Sequence, residues 1–419
     1  MGQTIVEKIF SRHCAKSVAS GDFVLAKVDV TMGNDGSLPL VIEASKKIKN
    51  FKVANAKNAI MVLDHYCPSP SREVSALQEG IRDFATTHGC TLYDWGVGVC
   101  HRLLPEKGHV LPGMLVAGAD SHTVTYGALN AFATGVGSSD LAIALNYGVL
   151  WFRVPQTIRL EIQGLPKPFI TAKDIALYAI KQFGASGANY EALEVYGETI
   201  RHMSMEDRFT FCNMMVEMGA KASIMLADEK TEAWLAKAGV TGKFEWTEAD
   251  RDAVYERRIC LDISNLEPQV ALPHQVDNVQ SISEVAGTPI RMALIGTCTN
   301  GNTQDLLEAA SILDGKRVHP DVRLIVTPAS QQVVQEAIDN GSFKILMESG
   351  AVFNTPGCGN CVGAHGGIPS DNTNVFSTAN RNFLGRMGNR NARIFLGSPA
   401  SVAASAISGE ITDPRIFTL

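Results

Sequence analysis

Short apolar runs alternate with helical repeats through most of this chain, and several of the runs end on reactive side chains. "NAIMVLDH" (58–65) is a near-continuous apolar run of strand length that stops at Asp64 and His65. "MLVAGADSH" (114–122) repeats the design and stops at Asp120, Ser121 and His122. "RMALIGTCTNG" (291–301) does so again, reaching Cys298 just before the helical pattern "QDLLEAASILDG" (304–315). Unbroken apolar strands of this kind are buried on both faces, as in the parallel sheets of α/β proteins. Polar residues just past the C-terminal ends of such strands are where open α/β sheets build their sites. Three ends carrying reactive side chains exceed what packing requires.

The pattern predicts an α/β fold in three parts. A first lobe over 1–113 and a second over 114–288 are expected, the second including a more charged connecting segment near 241–290. A C-terminal lobe over 289–419 shows strand and helix in turn through "RLIVTPAS", "ILMESGAVF", "NVFSTANRNF" and "RIFLGSPASVAASAI". No tandem repeat or low-complexity tract interrupts this order.

Composition narrows the functional classes. The 419 residues are 45% hydrophobic and 19% charged, with 37 basic and 43 acidic side chains giving a net charge of −6. An acidic balance without a basic run argues against a nucleic-acid surface, and so against an RNA-binding regulator. No stretch is apolar enough to span a membrane, and the first residues resemble neither a signal nor a transit segment, so a cytoplasmic protein is expected. Nine cysteines, an odd number, then read as reduced thiols plus a metal site.

"NTPGCGNCVGAH" (354–365) sets Cys358 and Cys361 three positions apart among glycines. Taken alone it fits zinc, a redox pair or an iron–sulfur cluster equally well. Cys298 is the best third partner, since a strand end and helix start offer free N–H groups that favour a thiolate. Cys67, in "DHYCPSPS", is its rival, while Cys14 and Cys212 fall in helical patterns. Three thiolates on glycine-rich loops suit a [4Fe–4S] cluster with one iron lacking a protein ligand. Gly357, Gly359 and Gly363 would let the backbone approach closely and take positive φ. A hydrolase triad at Asp120-Ser121-His122 is disfavoured, because triads converge from separate elements and no GxSxG occurs. "ATGVGSSD" lacks both a Walker lysine and the GxGxxG spacing.

"LDHYCPSPS", "GVGVCH", "LPGMLVAGADSHTVTYGALNAFATGVGSSDLA", "GTCTNG", "PGCGNCVG" and "STANRNFLGRMGN" together resemble the aconitase family of iron–sulfur hydro-lyases, nearly end to end. The likeness is strongest to the short prokaryotic large subunits of isopropylmalate type. It implies three-layer α/β/α lobes around a central cleft, and a [4Fe–4S] cluster on Cys298, Cys358 and Cys361. It implies Asp64, His65, His101, Asp120, His122 and Glu194 as catalytic residues, and Ser121, Asn380, Arg381 and Arg386 as substrate contacts. The swivelling C-terminal domain of longer members, with its serine base, is expected on a separate small subunit, in a large–small heterodimer or heterotetramer. The implied activity is interconversion of 2- and 3-isopropylmalate through an alkene diacid. Homoaconitase-type and 2,3-dimethylmalate- or 2-methylmalate-type dehydration are the alternatives. Two positions depart from the pattern: Asn34 stands where many relatives carry histidine, and Cys67 where many carry an apolar residue.

Overall fold

The computed structural model describes residues 2–242 and 244–417, so the expected outer limits Met1 and Leu419 lie outside it. The three reactive apolar runs form strands Ala59–Val62, Leu115–Gly118 and Met292–Gly296, each fully buried.

The first sheet has five parallel strands. From one edge they run Thr91–Tyr93, Ala59–Val62, Val30–Asn34, Leu115–Gly118 and Phe132–Gly135. Period-2 alternation splits each strand between two cores. Ile60 and Val62 face one with Val99, Leu103 and Leu104, while Ala59, Met61 and Leu63 face another with Leu38, Val41, Ile81 and Phe84. Helices therefore cover both faces, as a purely parallel sheet requires. Strands on either side of residue 113 pair here, so this sheet extends to Gly135, past the limit expected for the first lobe. An antiparallel ribbon, Phe23–Lys27 with Val149–Arg153, lies outside it.

A second sheet aligns Ala222–Met225, Ala192–Tyr196, Thr157–Gln163 and Arg257–Asp262, all parallel. The charged connecting segment thus supplies an edge strand of this sheet. It then supplies two antiparallel strands, Gln269–Ala271 and Val279–Ser281, to the third sheet. That sheet has seven strands and so begins at Gln269, ahead of the boundary expected at 289. Its parallel part holds Met292–Gly296 between Arg323–Thr327 and Asn374–Ser377.

Both large parallel sheets reverse their winding direction once. In the first, the chain steps outward from Val30–Asn34 to the two strands on one side, then returns to build the other side from Leu115–Gly118. In the third, the return falls between Met292–Gly296 and Asn374–Ser377. Adjacent connections leave in opposite directions at such a switch point, opening a crevice at the strand ends. One core cluster, from Val30 to Leu396, joins the sheets behind the two crevices. Among the described residues, no helix is long and apolar enough to cross a membrane.

The segment after Leu115–Gly118 winds as a 3-10 helix, Ser121–Leu129, capped by the Asp120 carboxylate on the His122 N–H. It lies so close to strand Ala222–Met225 that a Cβ on Gly127 would stand 1.7 Å from the Ser223 carbonyl oxygen. Gly127→Ala should therefore lower unfolding free energy by about 2–3 kcal/mol, as overpacking against rigid backbone does. Denaturant midpoints at an unchanged m-value check this; a loss under half that size would contradict the close approach.

Candidate active site

Two strand-end crevices converge on a cavity of about 200 Å³ lined by Asn34, His65, His101, Asp120, Ser121 and His122 from the N-terminal part. Cys298, Cys358, Asn380, Arg381 and Arg386 line it from the C-terminal lobe. Ten of the thirteen predicted site residues thus border one cavity. Asp64 and Cys361 sit immediately behind it, buried, and Glu194 lies elsewhere.

Asp64 follows the strand Ala59–Val62 and is 1% exposed. One carboxylate oxygen is 2.8 Å from Nδ1 of His65, and the other accepts the Cys100 N–H at 2.7 Å. That second bond holds the start of helix Cys100–Glu106, which carries His101. Asp35 shapes the same turn from below, accepting the N–H groups of Asp64, His65 and Tyr66 at 3.2, 2.8 and 3.1 Å. Burial and the neighbouring Asp64 charge push the Asp35 carboxyl up.

Asp120 is the hub of the polar network. Its Oδ1 lies 2.8 Å from His101 Nε2 and accepts the His122 N–H at 2.8 Å. Its Oδ2 accepts from the Asn34 amide at 3.1 Å and stands 3.5 Å from His65 Nε2. Burial opposes ionisation of Asp120, but His101, His122 and His65 outweigh it and hold the carboxyl well below its ordinary range. Burial likewise opposes a charged His65, and Asp64 and Asp120 overcome it, raising that imidazole well above its ordinary 6.5.

Across the cavity, Arg381 donates through Nε to Glu217 at 2.7 Å and through a terminal nitrogen to Ser121 Oγ at 2.9 Å. Glu217 also meets His122 Nε2 at 3.0 Å. Burial would raise the Glu217 carboxyl, but His122 and Arg381 bring it below its ordinary value. The guanidinium of Arg381 is thereby fixed at its rear while 24% of the side chain stays accessible. An anchored, planar donor fork of this kind matches a carboxylate.

The three cysteines are buried on two loops. Cys298 follows Met292–Gly296, at the third sheet's switch point, and Cys358 and Cys361 follow the short strand Val352–Phe353. The Asn213 and Asn380 amides approach Cys298 Sγ at 3.4 Å each, and Arg386 donates to Cys361 Sγ at 3.2 Å. Cys358 and Arg386 hold Cys361 well below an ordinary thiol, against its burial. The helix start expected to lower Cys298 does not do so: burial and the Cys361 charge push it up to about 12. That helix, Thr297–Asn300, is a single turn, too short for a dipole that could offset full desolvation. Gly359 and Gly363 have φ of +60° and +72°, and a Cβ on Gly363 would stand 2.1 Å from the Gly388 nitrogen. The expected close approach is present. Cys67 is not part of the cavity lining; it is buried near Asp35, Asp64 and Asp94, and burial pushes its thiol up to about 12.

Glu194 is a correction. It is fully buried on strand Ala192–Tyr196, away from the cavity, and accepts the Ile5 and Val6 N–H groups at 2.6 and 3.4 Å. The Tyr196 and Tyr255 hydroxyls donate to its other oxygen at 2.8 Å each. It is an anion at the N-terminus of helix Ile5–Cys14, a structural position. The glutamate at the cavity is Glu217, together with Asn213, which the sequence reading missed. A signal for both exists in "FCNMMVEMG": two polar residues four apart in an otherwise apolar stretch face one side of a helix.

Residues 7–289 and 283–409 match the model of the aconitase family (aconitate hydratase). The "3-isopropylmalate dehydratase large subunit 1" of Thermotoga maritima is 49% identical over 419 residues, covering 100% of both chains. The "3-isopropylmalate dehydratase large subunit" of Elusimicrobium minutum is 48% identical over 415 residues, 99% of each chain. The "3-isopropylmalate dehydratase large subunit 2" of Archaeoglobus fulgidus is 47% identical over 418 residues, 100% of each.

Two measurements probe this geometry. Because the folded pKa of His65 lies above its unfolded value, the stabilisation from its protonated ring is complete below about 6.5 and lost as pH rises through the raised value. Labelled-imidazole NMR should find His65 still protonated at neutral pH, and Asp64→Asn should bring it down; titration at or below 6.5 in the unmutated chain would contradict the network. Glu194→Ala should cost about 2–3 kcal/mol of stability, as loss of a buried charged acceptor does, while leaving the His65 titration unmoved. A shifted His65 titration in that variant would return Glu194 to the site.

Proposed function

We propose a function from one premise: this chain belongs to the aconitase family. It acts as the large subunit of a hydro-lyase that interconverts 2-isopropylmalate and 3-isopropylmalate, removing water and returning it at the neighbouring carbon. The observation that carries this reading is the single cavity where buried cysteines, a charged Asp–His network and an anchored arginine face one another. The relatives' printed names, matched over the full chain, supply the substrate.

The residues present fit an iron–sulfur cluster. Three buried sulfurs from two loops, approached by N–H donors from Asn213, Asn380 and Arg386, form a soft donor set of the kind such clusters take. Cys298, Cys358 and Cys361 would hold a [4Fe–4S] cluster whose open iron supplies Lewis acidity toward the substrate hydroxyl and carboxylate.

The chain's other residues do the remaining work. Arg381, braced by Glu217 and Ser121, and Arg386 receive the carboxylates of a malate core. His65, kept protonated by Asp64 and Asp120, donates a proton to the departing hydroxyl oxygen, and Asp120, held in place by His101 and the Asn34 amide, keeps a negative charge beside that ring. Water leaves more readily because the carboxylate–imidazole array is fixed before substrate enters and need not reorganise.

The apolar lining of the cavity is sparse, Ala119 and Val362, too little to cover an isopropyl group. A separate small subunit, implied by the "large subunit" in the relatives' names, closes this side and brings the acceptor for the carbon-bound proton.

Anaerobic reconstitution with iron, sulfide and the cognate small subunit tests the reading. About four irons per chain are expected, with turnover of 2-isopropylmalate seen as transient alkene absorbance. Cys361→Ser should abolish both. A fully loaded complex that dehydrates no malate derivative would sink the assignment, and full turnover by the chain alone would sink the need for a partner.

A further inference from the structure

Helix Ala172–Phe183 carries a lysine into the interior that the chemistry above does not use. Lys173 is 0% exposed. Its Nζ donates to the carbonyl oxygens of Thr378 and Ala379 at 2.8 and 2.6 Å, and lies 3.7 Å from Met214 Sδ. No ion pair to it occurs among the described residues. The adjacent Asp174 is engaged elsewhere, with the Thr171 N–H and hydroxyl and the Gln269 N–H. Burial pulls the ammonium down to about 7, against the charges of Cys361 and Cys298. A methionine would fill this volume without desolvating a cation, so packing does not account for the lysine.

The two carbonyls it binds decide its role. Thr378 and Ala379 leave strand Asn374–Ser377 at the switch point and run directly into Asn380 and Arg381. Asn380 touches Cys298 and Cys361 through its amide, and Arg381 touches Glu217 and Ser121. A strand end at a switch point has lost its neighbours, so its last carbonyls need donors from outside the sheet. Two charge-assisted bonds from one rigidly held ammonium fix both peptide planes.

We propose that Lys173 is a positioning residue: it clamps the 378–379 backbone so that Asn380 faces the cysteine sulfurs and Arg381 faces the substrate carboxylate. The inference deepens the hydro-lyase reading and rests on it for the substrate alone.

The test compares Lys173→Met and Lys173→Arg with the unmutated chain in two arms. The first follows hydrogen exchange of the metal-free chain. In Lys173→Met, amides 380–386 should exchange about tenfold faster, with helix Ala172–Phe183 and the melting temperature unchanged or improved. The second follows the reconstituted complex, where KM for 2-isopropylmalate should rise about tenfold with a smaller fall in kcat, the mark of a displaced binding group. Lys173→Arg, which can donate to the same carbonyls, should recover part of both. If Lys173→Met unfolds, Lys173→Gln, neutral with a shorter donor, takes its place under the same criteria. Unchanged exchange at 380–386 and unchanged KM overturn the proposal. An unmutated complex without turnover overturns the hydro-lyase reading instead, and the exchange arm still judges Lys173.

Discussion

Asp64 ties three separate loops into one site. Its backbone carbonyl accepts the Cys358 N–H at 2.9 Å, bridging to the cysteine loop of the C-terminal lobe. One carboxylate oxygen orients His65, and the other pins the helix that carries His101. His365 adds a second tie across the same seam, 2.9 Å from the His65 carbonyl oxygen. Two parallel sheets, each built around its own switch point, thus face each other in a fixed register. The cavity depends on that register more than on any single wall, because these bonds hold the segments that carry His65, His101 and Cys358.

Charge within the site is balanced almost pairwise. Asp64 faces His65, Asp120 faces His101 and His65, and Glu217 faces both His122 and Arg381. Asp120 and Glu217 would resist burial alone, and their cationic neighbours hold both below the ordinary carboxylate range. The cysteine sulfurs are the exception. They receive N–H donors and the Arg386 guanidinium, but three buried thiolates exceed what one guanidinium neutralises. Burial keeps Cys298 high, at about 12. Ligation of these sulfurs to iron would release protons and take up the excess charge, which couples cluster uptake to pH. Lys173 stands behind the same group, its amino group on the Thr378 and Ala379 carbonyls.

How much of this was legible in the sequence follows from the range of each signal. The strands ending at Asp64, Asp120 and Cys298 were readable because an apolar run and its terminal residues are contiguous. The cysteine pair was readable because its spacing is local. Glu194 was misread because "ALEVYG" is likewise an apolar strand with an acid in it, and nothing local says which helix end that acid will meet. Glu217 was missed because its partners, His122 and Arg381, lie 95 and 164 residues away in the chain. The limit expected near 113 falls between two strands of one sheet, because membership of a sheet is decided by pairing between Val30–Asn34 and Leu115–Gly118, which no local signal shows. Asn34, noticed only as a departure from a histidine pattern, turns out to donate directly to Asp120.

That substitution bears on how such a site chooses its substrate. An imidazole beside Asp120 could carry a proton of its own, whereas the Asn34 amide only donates, and its oxygen is spent on the Gly36 N–H and the Ser37 hydroxyl. Among the Asn34, His65 and His101 side chains around Asp120, only the imidazoles have a transferable proton to offer. On the proposed function, the fixed charges and hydrogen-bond donors of these walls suit what malate derivatives share, two carboxylates and a hydroxyl. What distinguishes one derivative from another is an apolar side group, worth only about 1–3 kcal/mol per small difference in a well-formed pocket. With Ala119 and Val362 as the apolar lining, this chain holds little of that pocket. On the proposed function a division of labour follows: the chemistry common to the class is built into the strand ends of this chain, and discrimination among its members falls to whatever surface closes the open side.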